Sequence, residues 1–326
     1  MTTNWKLSRR HWLAGSAAVA GLAGFPLATR AASAVTVGAL RFTSHAASFV
    51  AFERGYFAEE GLDVTFKFFQ AAQPMAVAIA SGDADFGVTA ISGGLVSLAE
   101  KGAVRVVGGA LQEEPGIDGQ MILASNAAHE AGLTDASKLG GRSFGITTAG
   151  SSFHYMAAKI AASEGISDLQ LKPLQKVPAI IGALKSGQID AWTIVPHIGK
   201  ALAGAGAVQH IGMVADYIPD YQVTTLFTSA DNASGDRAKT EAFIRAFARG
   251  ADDFNAALVD RTLGEDGADD MVRLVHKYVY EDQPFEKAAP SIRNGAMRIN
   301  KDCALNLTNV TDQLDWFKTE GLVKKT

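Results

Sequence analysis

Residues 81–87, SGDADFG, return 105 positions later as SGQIDAW at 186–192, so that Ser81-Gly82 falls on Ser186-Gly187 and Asp85 on Asp190. Each copy follows a short apolar stretch of helical character. In each, the glycine is free to take the left-handed conformation that ends a helix without strain at Cβ. A buried strand is expected two or three residues later, at Asp85-Phe86-Gly87 and at Asp190-Ala191-Trp192. The flanks repeat too: VTVGALRFTSHAASFVAFERGYFAEEGL (35–62) and RSFGITTAGSSFHYMAAKIAASEGI (142–166) both read strand, polar loop, helix, glycine stop. The duplication predicts two lobes of one α/β plan.

Outward from this repeat, strands and helices alternate, the signature of an α/β chain. AVTVGAL (34–40) reads as a strand, and a helix is expected over 46–60 with Phe49, Phe52, Tyr56 and Phe57 at helical spacing. LDVTFKFF (62–69) alternates as a strand does, a helix covers 75–80, ADFGVTA (84–90) is a buried strand and a helix follows over 93–101. VRVVGGAL (104–111) and GQMILAS (119–125) are read as closing this first half. DYQVTTLFTS (220–229) reads as a return to the first lobe, with residues 216–222 as a second crossover. The expected division is 35–122 plus 222–326 for one lobe and 123–221 for the other. In the helical tail Phe243, Phe247, Phe254 and Leu258 share an apolar face.

The first 34 residues read as an export signal rather than as fold. Ser8-Arg9-Arg10-His11-Trp12-Leu13 precedes an uncharged Ala/Gly/Leu/Val stretch and the small-x-small site Ala32-Ser33-Ala34, a pattern that resembles a twin-arginine signal. Cleavage after Ala34 removes four basic residues and no acid, which takes the formal charge from −4 to −8. Such a balance argues against a nucleic-acid surface. The single cysteine, Cys303, permits no internal disulfide.

Two lobes imply a cleft, and α/β sheets bind ligands beyond the carboxyl ends of their strands. Three of those ends run into hydroxyl-rich loops that enter helices: Arg41-Phe42-Thr43-Ser44-His45, Thr89-Ala90-Ile91-Ser92-Gly93-Gly94 and Thr147-Thr148-Ala149-Gly150-Ser151-Ser152. Unpaired N–H groups and the dipole at a helix start favour an anion, so the three together suggest one shared anion pocket.

FERGYFAEEGLDV (52–64), AIASGDADFGV (78–88), KLGGRSFGITTAGSSFHYMAAKIAASEGI (138–166) and ALKSGQIDAWTIVPH (183–197) resemble the extracytoplasmic substrate-binding proteins of ABC importers. The family in question includes sulfonate-, taurine- and nitrate-binding proteins and binders of thiamine pyrimidine precursors. The resemblance implies a type II periplasmic-binding-protein fold, each lobe a mixed sheet flanked by helices, and a last helix, with Leu314, Trp316 and Phe317, packed on the first lobe. It implies a monomeric periplasmic receptor that closes on a small ligand and presents it to an inner-membrane permease. The family's ligand loops fall on Ser44 and His45, on Thr89, Ile91 and Ser92, on Thr148, Gly150, Ser151 and Ser152, and on the loop after Trp192 that contains Val195 and His197. In that last loop the sequence reads Thr193-Ile194-Val195-Pro196-His197 in place of the acidic-Pro-aromatic loop of similar sulfonate binders.

Arg41 is the one permanent cation in these loops, either a ligand clamp or a solvated surface charge. Hydroxyls and amides are then expected to hold one anionic head, with Phe42, Phe153, Tyr155, Trp192 or Tyr221 over an apolar body. A sulfonate or monocarboxylate with an aromatic or alkyl body fits better than nitrate or a polyanion, and a pyrimidine precursor is the alternative. His45, His154 and His197 serve either as donors or as structural rings. An enzyme on the same fold, a cysteine-dependent desulfinase or a pyrimidine-synthesising enzyme, is the reading from another class; Cys303 is remote in sequence from every cleft loop and the cysteine-rich loop is absent. No cofactor or metal is expected, since no two histidines lie at ligand spacing and no Cys-x-x-Cys pair or complete phosphate loop occurs.

Overall fold

A computed structural model describes residues 32–324. The signal-peptide reading falls on residues 1–34, of which 1–31 lie outside the described residues; Ser33 and Ala34 open the first strand.

In chain order, β1 (Ser33–Ala39), a 3₁₀ turn (Thr43–His45), α1 (Ala46–Glu53), α2 (Tyr56–Glu59), β2 (Leu62–Phe68), α3 (Ala72–Ala80), β3 (Phe86–Thr89), α4 (Gly93–Glu100) and β4 (Val104–Gly109) form the first α/β unit. A second follows: β5 (Met121–Ser125), α5 (Asn126–Glu130), β6 (Ser143–Ile146), α6 (Ser152–Ser163), β7 (Gln170–Pro173), α7 (Val177–Lys185), β8 (Ala191–Ile194), α8 (Pro196–Gly204) and β9 (Val208–Met213). The chain then returns through β10 (Thr225–Ser229) to a tail of α9 (Ala230–Gly235), α10 (Arg237–Phe254), α11 (Gly264–His276), α12 (Phe285–Arg293) and α13 (Leu307–Thr319).

The two sheets have the same plan, β2-β1-β3-β10-β4 and β7-β6-β8-β5-β9. In each, the first three strands run parallel and the fourth is antiparallel to its neighbours. The repeated Ser-Gly is the helix stop expected from the sequence. Ser81 and Ser186 bond back to the Ala78 and Ala183 carbonyls at 3.1 and 3.2 Å, and Gly82 and Gly187 have φ of 83° and 72°.

Three expectations are corrected. The helix over 46–60 is two helices, because Gly55 takes φ 78° and turns the chain between them. GQMILAS belongs to the second sheet, where β5 lies between β8 and β9; its apolar run is buried throughout and carries no mark of which sheet receives it. The last helix packs on both lobes. Phe317 clusters with Ile91 and Val96 of the first, while Trp316 stands edge-on to Tyr155 of the second, whose hydroxyl donates to Asp312 at 2.5 Å.

The tail fills the first lobe through the apolar face read from its sequence. Phe243 of α10 stacks on Phe86 at 4.1 Å and on Phe57 at 4.9 Å. Helices α1 and α10 cross so closely that a side chain at Gly250 would strike the Ala47 carbonyl.

Candidate functional site

Between the two sheets lies an inner cavity of about 70 Å³. The first lobe supplies Leu40, Phe42, Ser44 and His45 after β1, Ala71 and Ala72 at the start of α3, and Thr89 and Ala90 after β3. The second supplies Thr147, Ser151, Ser152 and Phe153 around the start of α6, Val177 at the start of α7, and Ile194 and Val195 after β8. Gln120, Val223 and Thr224 come from the two crossovers. Strand ends of both sheets therefore aim at one space, as the parallel order of β1, β3, β6 and β8 dictates.

Of the residues expected at the site, Ser44, His45, Thr89, Ser151, Ser152 and Val195 line this cavity, as do Phe42 and Phe153 of the aromatics expected over an apolar body. The others are placed elsewhere, each for a physical reason. Arg41 is drawn to the surface, where it pairs with Glu281 at 2.7 Å and lies 3.9 Å over the Phe68 ring. Ile91 packs with Phe317. Ser92 caps α4 by accepting the Leu95 N–H at 3.2 Å. The Thr148 carbonyl closes the turn before α6 by accepting the Ser151 N–H at 3.1 Å. Gly150, at φ 73°, accepts the Gly93 N–H at 2.8 Å and so ties one lobe to the other. Trp192 is fully buried in β8 behind Phe153, and Tyr221 is fully buried beside Tyr155. His197 sits between Phe42 and Tyr280, with its Nδ1 2.9 Å from the Thr43 hydroxyl, a second tie between lobes.

Among the described residues no charged side chain lines the inner cavity; its polar side chains are hydroxyls, one amide and one imidazole. Burial pushes His45 down to about 3, so its ring is neutral near pH 7. The Leu40 N–H is directed at His45 Nδ1 at 3.5 Å, which leaves the ring proton on Nε2 as a donor. Thr224 Oγ1 accepts the Leu111 N–H at 2.8 Å, so its own proton is free to donate. Gln120 is a residue that sequence reading missed. It is 3 % exposed, and its Nε2 is buried without a hydrogen-bond partner; a glutamine at a strand start carries no sequence signal. Its backbone N–H donates to Glu113 Oε1 at 3.0 Å, and burial pushes the Glu113 carboxyl up to about 7.

The helix starts at the cavity differ in what they offer. Helix α3 begins at Ala71-Ala72 without a side-chain cap and carries Pro74, which has no N–H, in its first turn, so the N–H groups of Ala72 and Gln73 are open to a ligand. Helix α6 is capped by Ser151, whose hydroxyl accepts the His154 N–H at a long 3.4 Å. Helices α7 and α8 place a proline earlier, at the second and the first position, and lose an N–H there. One helix start from each lobe, α3 and α6, thus faces the space between them with usable donors. An acceptor-bearing group held there bridges the lobes; this favours the closed form.

Cys303, the chain's one thiol, lines neither this cavity nor the larger groove outside it. It is buried against Gly108 and the Ile244 carbonyl, and burial with Asp302 and Asp252 nearby pushes its thiol up to about 12. Among the described residues no three His, Cys, Asp or Glu side chains gather to hold a metal, and no helix is long and apolar enough to cross a membrane.

Solved structures share this architecture. The alkanesulfonate-binding protein SsuA of Xanthomonas axonopodis pv. citri, bound to MOPS, is 16% identical with a TM-score of 0.70, over 90% of this chain and 95% of that one. The periplasmic nitrate-binding protein NrtA of Synechocystis PCC 6803 is 14% identical with a TM-score of 0.70, over 90% and 83%. A DSZB mutant in complex with biphenyl-2-sulfinic acid is 13% identical with a TM-score of 0.54, over 90% and 94%. The shared fold is that of periplasmic binding proteins. No curated protein sequence matches the chain. A family model described as NMT1/THI5 like matches residues 42–257, two thirds of the sequence, and the chain belongs to that family.

Proposed function

We propose that the protein is the exported solute-binding component of an ABC importer, a monomer that captures a small organic anion by closure of its two lobes and delivers it to an inner-membrane permease. The observation that carries the anion reading is the inner cavity itself. Donors from both lobes converge on it, the α3 and α6 starts among them, and among the described residues neither cation nor carboxylate lines it. Preorganised neutral donors in a dry cleft hold an anion without the cost of burying a second charge. Family membership and the likeness to alkanesulfonate- and nitrate-binding proteins support the transport role. An importer that must release its cargo gains from a site built of hydrogen bonds, since these re-form with water on opening. A cysteine-dependent enzyme needs a reachable thiolate, and Cys303 is buried with its thiol pushed up.

The test is native mass spectrometry of the mature protein, followed by a melting-shift screen of sulfonates, carboxylates, nitrate and pyrimidines. One anion per chain that returns as a melting shift is the expected result. A pyrimidine that shifts melting while no anion does so transfers the site to the pyrimidine reading; desulfinating or heterocycle-forming activity without binding replaces the receptor by an enzyme.

A further inference from the structure

Outside the inner cavity, and sharing Leu40, Phe42 and Val177 with it, a second depression of about 750 Å³ runs between the lobes. Its floor is apolar, with Phe68 at the end of β2, Phe69 just after it, Ile181 of α7 and Leu202 of α8. Its charged lining is basic, beside the neutral polar groups of Gln70, Tyr280, Gln283 and Ser291. Arg41, Lys185 and Lys287 contribute and, among the described residues, no carboxylate does. Arg41 is satisfied by Glu281, whereas among the described residues neither Lys185 nor Lys287 pairs with an acid.

The two spaces are complementary. The inner one, with no charge and about 70 Å³, holds a head group and little more. The outer one falls in the size range of sites that enclose whole organic ligands. An apolar channel that leads from neutral donors to unpaired cations suits a molecule with an acceptor-rich end, an apolar middle and a second negative end. A cleft lined by one sign of charge also concentrates ligands of the other sign at its mouth.

We propose that this groove is the outer half of the ligand site and that the ligand is an elongated dianion. One acidic group occupies the inner cavity, an apolar spacer crosses Phe42, Val177 and Ile181, and a second acidic group lies at Lys185 and Lys287. The proposal rests on the anion reading above and extends it from a monoanion to a diacid.

Calorimetry with two probe series tests it: linear monocarboxylates from acetate to decanoate, and linear α,ω-dicarboxylates of the same lengths. Affinity for the monocarboxylates is expected to rise with length, by up to roughly fourfold per methylene buried. The best dicarboxylate is expected to exceed the monocarboxylate of its length by about fivefold or more. In the Lys185→Ala/Lys287→Ala double variant that ratio falls to about one, and in Lys185→Glu/Lys287→Glu it falls below one. Both lysines are exposed, so folding is not at stake. Length-independent binding of the monocarboxylates, or a diacid preference that survives in both lysine variants, overturns the groove proposal and leaves the anion reading standing. If no acid of either series binds, the groove proposal falls, and the anion reading is decided by the sulfonate and nitrate arms of the melting-shift screen.

Discussion

Asp85 Oδ2 takes the Thr36 N–H at 2.8 Å, and Asp190 Oδ2 takes the Ser143 N–H at 2.7 Å. The repeated aspartate thus has the same structural use in both lobes. It pins the start of the third strand to the neighbouring first strand, and its spacing from Ser-Gly is fixed by the length of the turn. Asp190→Ala is expected to lower unfolding free energy by about 1–3 kcal/mol, because it leaves the Ser143 N–H without its acceptor; urea denaturation of the variant reads it directly. Gln120 has the opposite character, a buried amide left without a partner for its Nε2. Gln120→Leu is expected to weaken binding of the screened anion by roughly tenfold or more while the melting temperature of the ligand-free protein holds or rises, since the orphan polar group is removed. Unchanged affinity in calorimetry would take Gln120 out of the site. The aspartates were legible because a repeat exposes them. Gln120 was not, because its meaning lies in which groups surround it.

At the scale of elements, the hydroxyls that mark helix starts in sequence are partly consumed by those helices. Ser92 spends its oxygen on α4 and is not among the residues that line the inner cavity, whereas the uncapped start of α3 does line it. A polar loop therefore points to a helix start but does not tell whether the start is satisfied or open. Helix α13 shows the same limit. Its apolar residues announce packing, and only the fold reveals that Asp312 reaches α6 through Tyr155 and Lys159, the latter at 2.8 Å. Asp312→Ala removes these two bonds of α13 to the second lobe and is expected to weaken ligand affinity by roughly fivefold, about 1 kcal/mol for part-exposed bonds of this kind. Small-angle scattering is expected to show a larger radius for the ligand-free variant; an unchanged radius together with unchanged affinity removes α13 from the closure.

For the molecule as a whole, three buried titrating groups shape stability against pH. His45 and His197 are both pushed down to about 3 by burial. Between pH 3 and the ordinary histidine range near 6.5, the unfolded chain therefore binds more protons than the folded one, and stability rises with pH. Glu113 is pushed up to about 7 from its ordinary 4.5. Over that interval the folded chain holds the extra proton, and its contribution falls as pH rises. Two rising contributions against one falling one place the stability maximum near pH 6.5. Urea midpoints from pH 4 to 8 are expected to fall on the acid side of that maximum, and His197→Gln is expected to flatten the acid limb. A limb of unchanged slope in that variant shows that His197 does not titrate as its burial requires.

By itself the sequence determined the α/β class, the duplicated plan, the Ser-Gly helix stops, the apolar face of the tail and the family. All of these rest on local periodicity or on order along the chain, which survive without a third dimension. The tertiary structure alone decided that β5 joins the second sheet, that Arg41 turns outward to Glu281, that Ser92 and His197 lie behind the cavity rather than in it, and that Gln120 lines it. Each of these depends on which of several equally apolar or polar neighbours comes near after the chain crosses twice between its sheets. That choice is made by packing of surfaces distant in sequence, and no local pattern encodes it.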